Sequence, residues 1–486
     1  MQLIKNIIYS STSKKIYEIG VNNKLIQPLF VFIANKLSGG FLSKTKTNID
    51  KISPSFCTAK WLQSTLHLEI GETHSCHHPK RHSLDFDQLK SNPNKLHNTV
   101  VKEKARREML KGVFPSECEY CWKSERCNEV SDRVYKSSAS WAQVDLENLK
   151  SEDSIRNVFP TYLEISFSSH CNLKCAYCYP EVSSSIRKEI EDFGPYQTSI
   201  PFGELAEYKV AKLKLDQANV DLEKTFWDWW DLGLYQKLKN FRITGGEPLI
   251  NNNTFRVLDK IIEQNEFLDL EFSLNSNLMI SNERFQTFLE KLKVLIETRK
   301  IKSFSLFASI DTYGESAEFL RNGLKIEVFE DRVKKYLSTI KNAELTFMVT
   351  YQALSPFYFN DFLSKVITLR AEFPDAKIKV GISELLNPHF LSLNIDPDFF
   401  HPYVLTNLDF MKSYSQLSIG VHGFSNFEIQ HLERIYTSLV SKKNNKDIQK
   451  AKDFKVFITE YELRKGVSFN KTFLEHDDLI NWYLNL

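Results

Sequence analysis

Cys171, Cys175 and Cys178 stand within eight residues, in the run Ser169-His170-Cys171-Asn172-Leu173-Lys174-Cys175-Ala176-Tyr177-Cys178-Tyr179-Pro180. Three thiolates on one short loop can hold three irons of a cubic iron–sulfur cluster, leaving the fourth iron open to a small molecule. A zinc knuckle is the rival chemistry. Structural zinc wants four ligands, commonly as two C-x2-C pairs. The C-x3-C-x2-C spacing does not match that pattern, although His170 or a distant residue would complete such a site. A second set lies upstream: Cys57, Cys76, Cys118 and Cys121, with Cys127 left over. Four thiolates suit either structural zinc or a fully protein-ligated cluster. His74, His77 and His78 flank Cys76 and read as loop residues, since four thiolates already suffice.

Two further groups carry chemistry. The first is Thr244-Gly245-Gly246-Glu247-Pro248-Leu249, after a strand-like segment. Glycines let a ligand approach the backbone, and Glu247 with a backbone carbonyl can accept hydrogen bonds from a cationic amine. The second is Ala308-Ser309-Ile310-Asp311 with Arg321 further on. A hydroxyl and a guanidinium suit a carboxylate, and Asp311 is expected to serve its turn as a local acceptor.

Together these motifs resemble the radical S-adenosylmethionine (radical SAM) superfamily. The resemblance implies that Cys171, Cys175 and Cys178 hold a [4Fe-4S] cluster whose open iron binds the amino and carboxylate groups of SAM. It implies reductive cleavage of SAM to methionine and a 5′-deoxyadenosyl radical that abstracts hydrogen from a substrate. The turn Gly245, Gly246, Glu247, Pro248 would bind the SAM amino group, and Ser309 with Arg321 the carboxylate. Asn275 and Asn277 would lie near the ribose, with Gln352 and Ser355 in the corresponding position of a later strand. Ile382 would pack on adenine, and Tyr177 would line its pocket. Glu164 is either a buried acceptor or a site residue. The upstream cysteines, with Phe56-Cys57-Thr58-Ala59-Lys60-Trp61 and Pro115-Ser116-Glu117-Cys118-Glu119-Tyr120-Cys121, resemble the twitch module, a shortened SPASM domain. That implies an auxiliary [4Fe-4S] cluster on Cys57, Cys76, Cys118 and Cys121, although the module usually follows the core. Implied partners are SAM, an external electron donor such as flavodoxin or ferredoxin, and a substrate ranked first as a peptide or protein. The alternative is a non-catalytic iron–sulfur or zinc-stabilised electron-transfer or binding protein on a degenerate barrel.

The elements that must position these residues follow from pattern. From about residue 160 the chain alternates strand-like segments (162–167, 240–244, 269–275, 303–310, 344–352, 377–382) with helical ones (254–264, 282–298, 328–340, 360–373). Such alternation predicts an α/β fold with a parallel sheet. The resemblance implies a partial (β/α)6 TIM-type barrel, whose chemistry sits at the C-terminal strand ends. The expected plan is a helical segment 1–55, a Cys-rich module 56–130, a linker 131–160, a core 161–394 and a mainly helical tail 395–486. The Trp-dense stretch 226–230 is expected to pack on the barrel. A chain of 486 residues is long enough for one to three domains. A net charge of +2 advertises no extended nucleic-acid partner. No apolar run suffices to span a bilayer, since 28–42 is broken by Asn35, Lys36 and Gly39-Gly40, and 1–9 lacks a convincing cleavage site. Clustered thiols suit a reducing compartment, so a cytoplasmic protein is expected.

Overall fold

The alternation of buried and half-buried residues along each core segment builds one sheet. The computed structural model describes residues 27–486, with side chains from residue 40 onward; the expectations for 1–26 lie outside the described residues. The strands are β1 (Gln63–His67), β2 (Glu72–His74), β3 (His82–Ser83), β4 (Tyr162–Ser166), β5 (Lys174–Cys175), β6 (Asn240–Thr244), β7 (Leu268–Ser276), β8 (Ile301–Ser309), β9 (Arg321–Asn322), β10 (Glu344–Tyr351) and β11 (Lys377–Glu384). Nine of them form a sheet in the order β11-β10-β8-β7-β6-β4-β1-β2-β3, and β5 pairs with β9. From β11 across to β1 every pairing is parallel. The six core strands expected from the sequence are all present, and the chain is a mixed α/β fold with a parallel sheet.

Helices Asn252–Ile262, Asn282–Glu297, Ile326–Thr339 and Phe359–Glu372 alternate with these strands. Their starts follow local chemistry: Asn251 and Ser281 accept hydrogen bonds from the backbone N–H groups of Asn253 and Arg284. Val257, Phe288, Val333 and Val366 from the helices share one buried cluster with Ile165, Ile243, Phe272, Leu306 and Phe347 from one sheet face. The opposite face differs. Glu164, Arg242, Asn275, Phe307, Thr346 and Met348 are only half-buried there. Parallel sheets are normally covered on both faces and read as continuous apolar runs. A polar, accessible face on such a sheet marks where the fold leaves room for something else.

Two expectations change. The Cys-rich segment is not an appendage, because β1 pairs in register with β4, Gln63 to Tyr162 through His67 to Ser166, and β2 and β3 extend the same sheet. The stretch 131–160, expected as a linker, folds into short helices including Asp132–Ser138 and Glu152–Asn157. Its Val134, Trp141 and Leu149 join Trp61, Met109 and Trp122 in a second core. Its polar composition hid this, because one of its buried groups is a charge with partners. Arg133 is 1% exposed and pairs with Asp50 and Glu125 at 2.8 Å each. It also donates to the Phe56 carbonyl.

The Trp-dense segment packs as expected, with Trp227 and Trp229 of helix Leu222–Trp229 and Trp230 just after it all buried. The tail is helical, and Tyr461 of helix Ile448–Lys465 donates a hydrogen bond to the Phe319 carbonyl. No helix among the described residues is long and apolar enough to cross a membrane.

Candidate active site

The three-cysteine loop leaves the C-terminal end of β4, and three separate devices shape it. The first is the Gly245-Gly246 turn after β6. The backbone N–H of Gly246 donates to the Ser168 carbonyl at 3.2 Å, and that of Glu247 donates to the His170 carbonyl at 2.7 Å. A Cβ on Gly245, which has φ +112°, would lie 2.7 Å from the Ser168 oxygen; one on Gly246 would lie 2.5 Å from the Ser169 oxygen. The glycines are therefore needed where two protein segments meet, not for a ligand's approach alone.

Glu247 also departs from expectation. Its buried carboxylate accepts from Asn277 N–H (2.6 Å), Ser276 hydroxyl (2.8 Å) and Leu249 N–H (3.0 Å). Burial pushes this carboxyl up to about 7 against the pull of those donors. The side chain fastens β6 to β7, and a SAM amine would find backbone carbonyls here rather than a free carboxylate. Pro248 is buried as the first residue of a short 3-10 turn.

The second device is the pairing of β5 with β9, Cys175 opposite Arg321. Arg321 was expected to face a carboxylate of SAM together with Ser309. The structure commits its guanidinium instead to Asp311, with ion-pair contacts of 2.8 and 3.0 Å. It also donates to the Tyr177 hydroxyl at 2.5 Å and approaches Cys175 Sγ at 3.8 Å. Tyr177 in turn donates to Asp311 at 2.9 Å, so it is spent on this triad rather than on an open adenine pocket. Asp311 does more than serve its own turn, since it also accepts from the Thr350 N–H. Burial raises the Tyr177 hydroxyl far above its ordinary value, and Asp311 keeps Arg321 charged.

The third device comes from outside the core. Glu69, just beyond β1, accepts from the Ser169 N–H at 2.6 Å and hydroxyl at 2.8 Å, and from Arg187 at 2.9 Å. Arg187 also donates to the Pro180 carbonyl, so both ends of the cysteine loop are tied to one carboxylate. No motif marked Glu69 in the sequence; the signal was a lone acid in the apolar run Leu68-Glu69-Ile70. Burial pushes its carboxyl up, but Ser169 and Arg187 outweigh burial and hold it below the usual range. Glu69→Ala should cost about 2 kcal/mol, the worth of hydrogen bonds to a charged acceptor. The deficit against wild type in thermal melts should be full at neutral pH. A lowered carboxyl contributes stability above its ordinary range, so the deficit should vanish only as pH falls through the lowered value.

The remaining expected residues scatter. Ser309 ends β8 on the polar face, across from Met348 in register. The Asn275 side chain accepts from Arg242 Nε at 2.9 Å. Asn277 Nδ2 lies 3.0 Å from Asn172 and 4.0 Å from Cys171 Sγ. Gln352 is fully buried and its N–H donates to Ser355, while its Nε2 is without a partner among the described residues. A buried amide left so is costly, and it suits an acceptor on a bound ligand. Ile382 lies in register with Val349 on the helix-packed face and is 4% exposed. It is therefore a core residue, and the neighbouring Gly381 is the one on the polar face.

Three thiols on one short loop are chemically suited to a cluster. Burial lifts the Cys171 thiol to about 12 and raises Cys175 and Cys178 as well; bound metal cations would reverse that penalty. Thiolates about 2.3 Å from one tetrahedral zinc lie roughly 4 Å apart. Among the described residues, the one group of three or more donors converging within 4.8 Å is His77, His78 and Asp132, not either cysteine set. Cys57, Cys76, Cys118 and Cys121 line one cavity with Lys60, His78, Trp122 and Arg133. Cys127 is exposed and lies outside it. Because Cys57 precedes β1, which runs parallel to β4, the two cysteine sets sit at opposite ends of the sheet.

The chain matches GTP 3′,8-cyclases, which are radical SAM enzymes. It is 24% identical to that of Campylobacter lari over 141 residues, 29% of this chain and 35% of the relative. It is 27% identical to that of Sulfurimonas denitrificans over 173 residues, 34% and 45% respectively. The likeness is therefore to enzymes of the radical SAM superfamily. The matches span less than half the length of these two relatives. No family model matches this chain. Streptococcus suis SuiB bound to S-adenosylmethionine is 15% identical with a TM-score of 0.34, covering 71% of this chain and 68% of that one. SuiB bound to its precursor peptide SuiA scores 0.35 at 14% identity, covering 74% and 69%. Superpositions this loose add nothing to the assignment.

Proposed function

We propose that this protein is a radical SAM enzyme in which Cys171, Cys175 and Cys178 hold the SAM-binding [4Fe-4S] cluster, acting on a peptide or protein. When bound, the cluster supplies the electron that cleaves SAM to a 5′-deoxyadenosyl radical, which takes hydrogen from the substrate. The observation that carries this reading is a three-thiol loop clamped to a Gly-Gly turn at the end of a parallel strand, beside a polar sheet face. The six core strands are read as a partial (β/α)6 barrel. Cys57, Cys76, Cys118 and Cys121 are read as a twitch-type auxiliary site, and the enzyme as a cytoplasmic protein that receives electrons from an external donor such as flavodoxin or ferredoxin.

The chain's own residues have definable tasks. Arg321 places a buried positive charge beside Cys175, favouring its thiolate. Asn277 offers an N–H toward Cys171. The Gly245 and Gly246 region, Ser309 and the unpartnered Gln352 amide offer polar contacts to SAM. Ile382 supports this end of the sheet from the core.

Adding SAM to the anaerobically loaded, dithionite-reduced protein should change its electron paramagnetic resonance spectrum, and 5′-deoxyadenosine should accumulate. An unchanged spectrum with no 5′-deoxyadenosine would leave a metal-stabilised binding protein.

A further inference from the structure

The polar sheet face holds two charged residues that the SAM site does not use. Parallel register sets Glu164 beside Arg242 and Asn275 beside Phe307. Arg242 is fixed in place: its Nε donates to Asn275 Oδ1 at 2.9 Å, and its guanidinium lies 4.3 Å from the centre of the Phe307 ring. Such a planar cation, stacked and held by one N–H, presents its remaining donors as a fork. The Tyr162 hydroxyl lies close to both Arg242 and Glu164. The partners of the Arg242 side chain are Asn275 and the Phe307 ring, and among the described residues it makes no ion pair with Glu164, its neighbour in register. Glu164 accepts from the Thr244 hydroxyl at a long 3.5 Å.

The lower rim of the face behaves differently. Glu271 there is paired with Lys302, and Glu344 with Lys377. Above that rim, from β4 to β10, Arg242 and Glu164 are the two charged residues, in a field of serines, threonines, Asn275, Phe307 and Met348. The sheet is open, with β11 and β3 at its edges, so an extended chain can lie across it.

We infer that this face is the substrate floor and that Arg242 binds a single carboxylate of a peptide segment, with Glu164 and Tyr162 taking a neighbouring N–H or hydroxyl. The inference deepens the proposed function and rests on it. Charge decides the class. A nucleoside triphosphate carries about four negative charges, which one arginine beside a glutamate does not balance. A peptide carrying one Asp, one Glu or a C-terminal carboxylate matches the face.

The test is equilibrium dialysis of the full-length, anaerobically loaded protein against two pools of capped pentapeptides, identical except for a central Glu or Gln, and against GTP. Wild type should retain the Glu pool about tenfold over the Gln pool, the order supplied by one charge-assisted bidentate contact. It should retain GTP no better than the Gln pool. Arg242→Met should erase the Glu preference and Arg242→Lys should restore part of it, with melting temperatures confirming that both variants fold. Equal retention of both pools by wild type, an unchanged preference in Arg242→Met, or preferential retention of GTP would each overturn the inference. SAM cleavage by wild type in the same preparation reports separately on the proposed activity. A Glu preference without cleavage would sink that reading and not the carboxylate site.

Discussion

Gly246→Ala is expected to abolish iron loading at the Cys171, Cys175 and Cys178 loop while the amino-terminal cysteines still load. The added methyl would meet the carbonyl oxygens of Ser169 and His170, both backbone atoms. Flexible side chains can yield to an extra methyl, but these carbonyls carry the loop that presents the thiols. Relief requires the β6 turn to withdraw, which breaks the hydrogen bonds from Gly246 to Ser168 and from Glu247 to His170. Overpacking of this kind costs about 1–3 kcal/mol, and a backbone neighbour places it at the upper end. Iron and sulfide counts should fall by about half, and SAM cleavage should be lost. Full iron content with wild-type cleavage would show that the turn tolerates a Cβ and that the docking of the two motifs is not required.

Asp311→Asn should be the most destabilising single change in the core. Asp311 is fully buried, and Arg321 is 7% exposed. Removing one member of a buried ion pair strands the other charge, at a cost of about 3–5 kcal/mol. Here Arg321 would keep only the Tyr177 hydroxyl and the approach to Cys175, and Thr350 N–H would lose a charged acceptor. Denaturant unfolding of the metal-free protein isolates this loss from cluster binding. A double variant, Asp311→Asn with Arg321→Leu, should recover part of the stability, because the uncompensated charge is gone. If the single variant unfolds at the wild-type denaturant concentration, the triad is not the clamp described for the cysteine loop.

Much of the core was legible because parallel strands write themselves as apolar runs between amphipathic helices. The segment 240–244 coincides with β6, and the other five core strands were placed with ends displaced by a few residues. The three-cysteine loop and the Gly-Gly turn were legible as motifs, but their mutual docking was not. Spacing along the chain does not reveal that the two glycines face carbonyls 77 positions upstream, at Ser168 and Ser169. Arg321 and Ile382 were assigned by analogy of position. The structure turns Arg321 toward Asp311 and Ile382 toward the helices, because β9 pairing and strand parity decide which way each side chain points. Glu69 and Arg242 were missed as functional residues. Arg242 did carry a signal: a charge at the centre of Asn240-Phe241-Arg242-Ile243-Thr244 breaks the apolar run expected of a parallel strand buried on both faces. The buried, paired charge of Arg133 had the opposite effect and made a folded stretch look like a linker.

The most direct measurement compares wild type with a triple Ala variant at Cys171, Cys175 and Cys178. Both proteins would be loaded anaerobically, counted for iron, sulfide and zinc, and assayed for 5′-deoxyadenosine with SAM and dithionite. About eight irons per chain in wild type, about four in the variant, and 5′-deoxyadenosine from wild type alone is the expected result. Zinc in place of iron, or 5′-deoxyadenosine formed equally by both proteins, would contradict the assignment of these three cysteines.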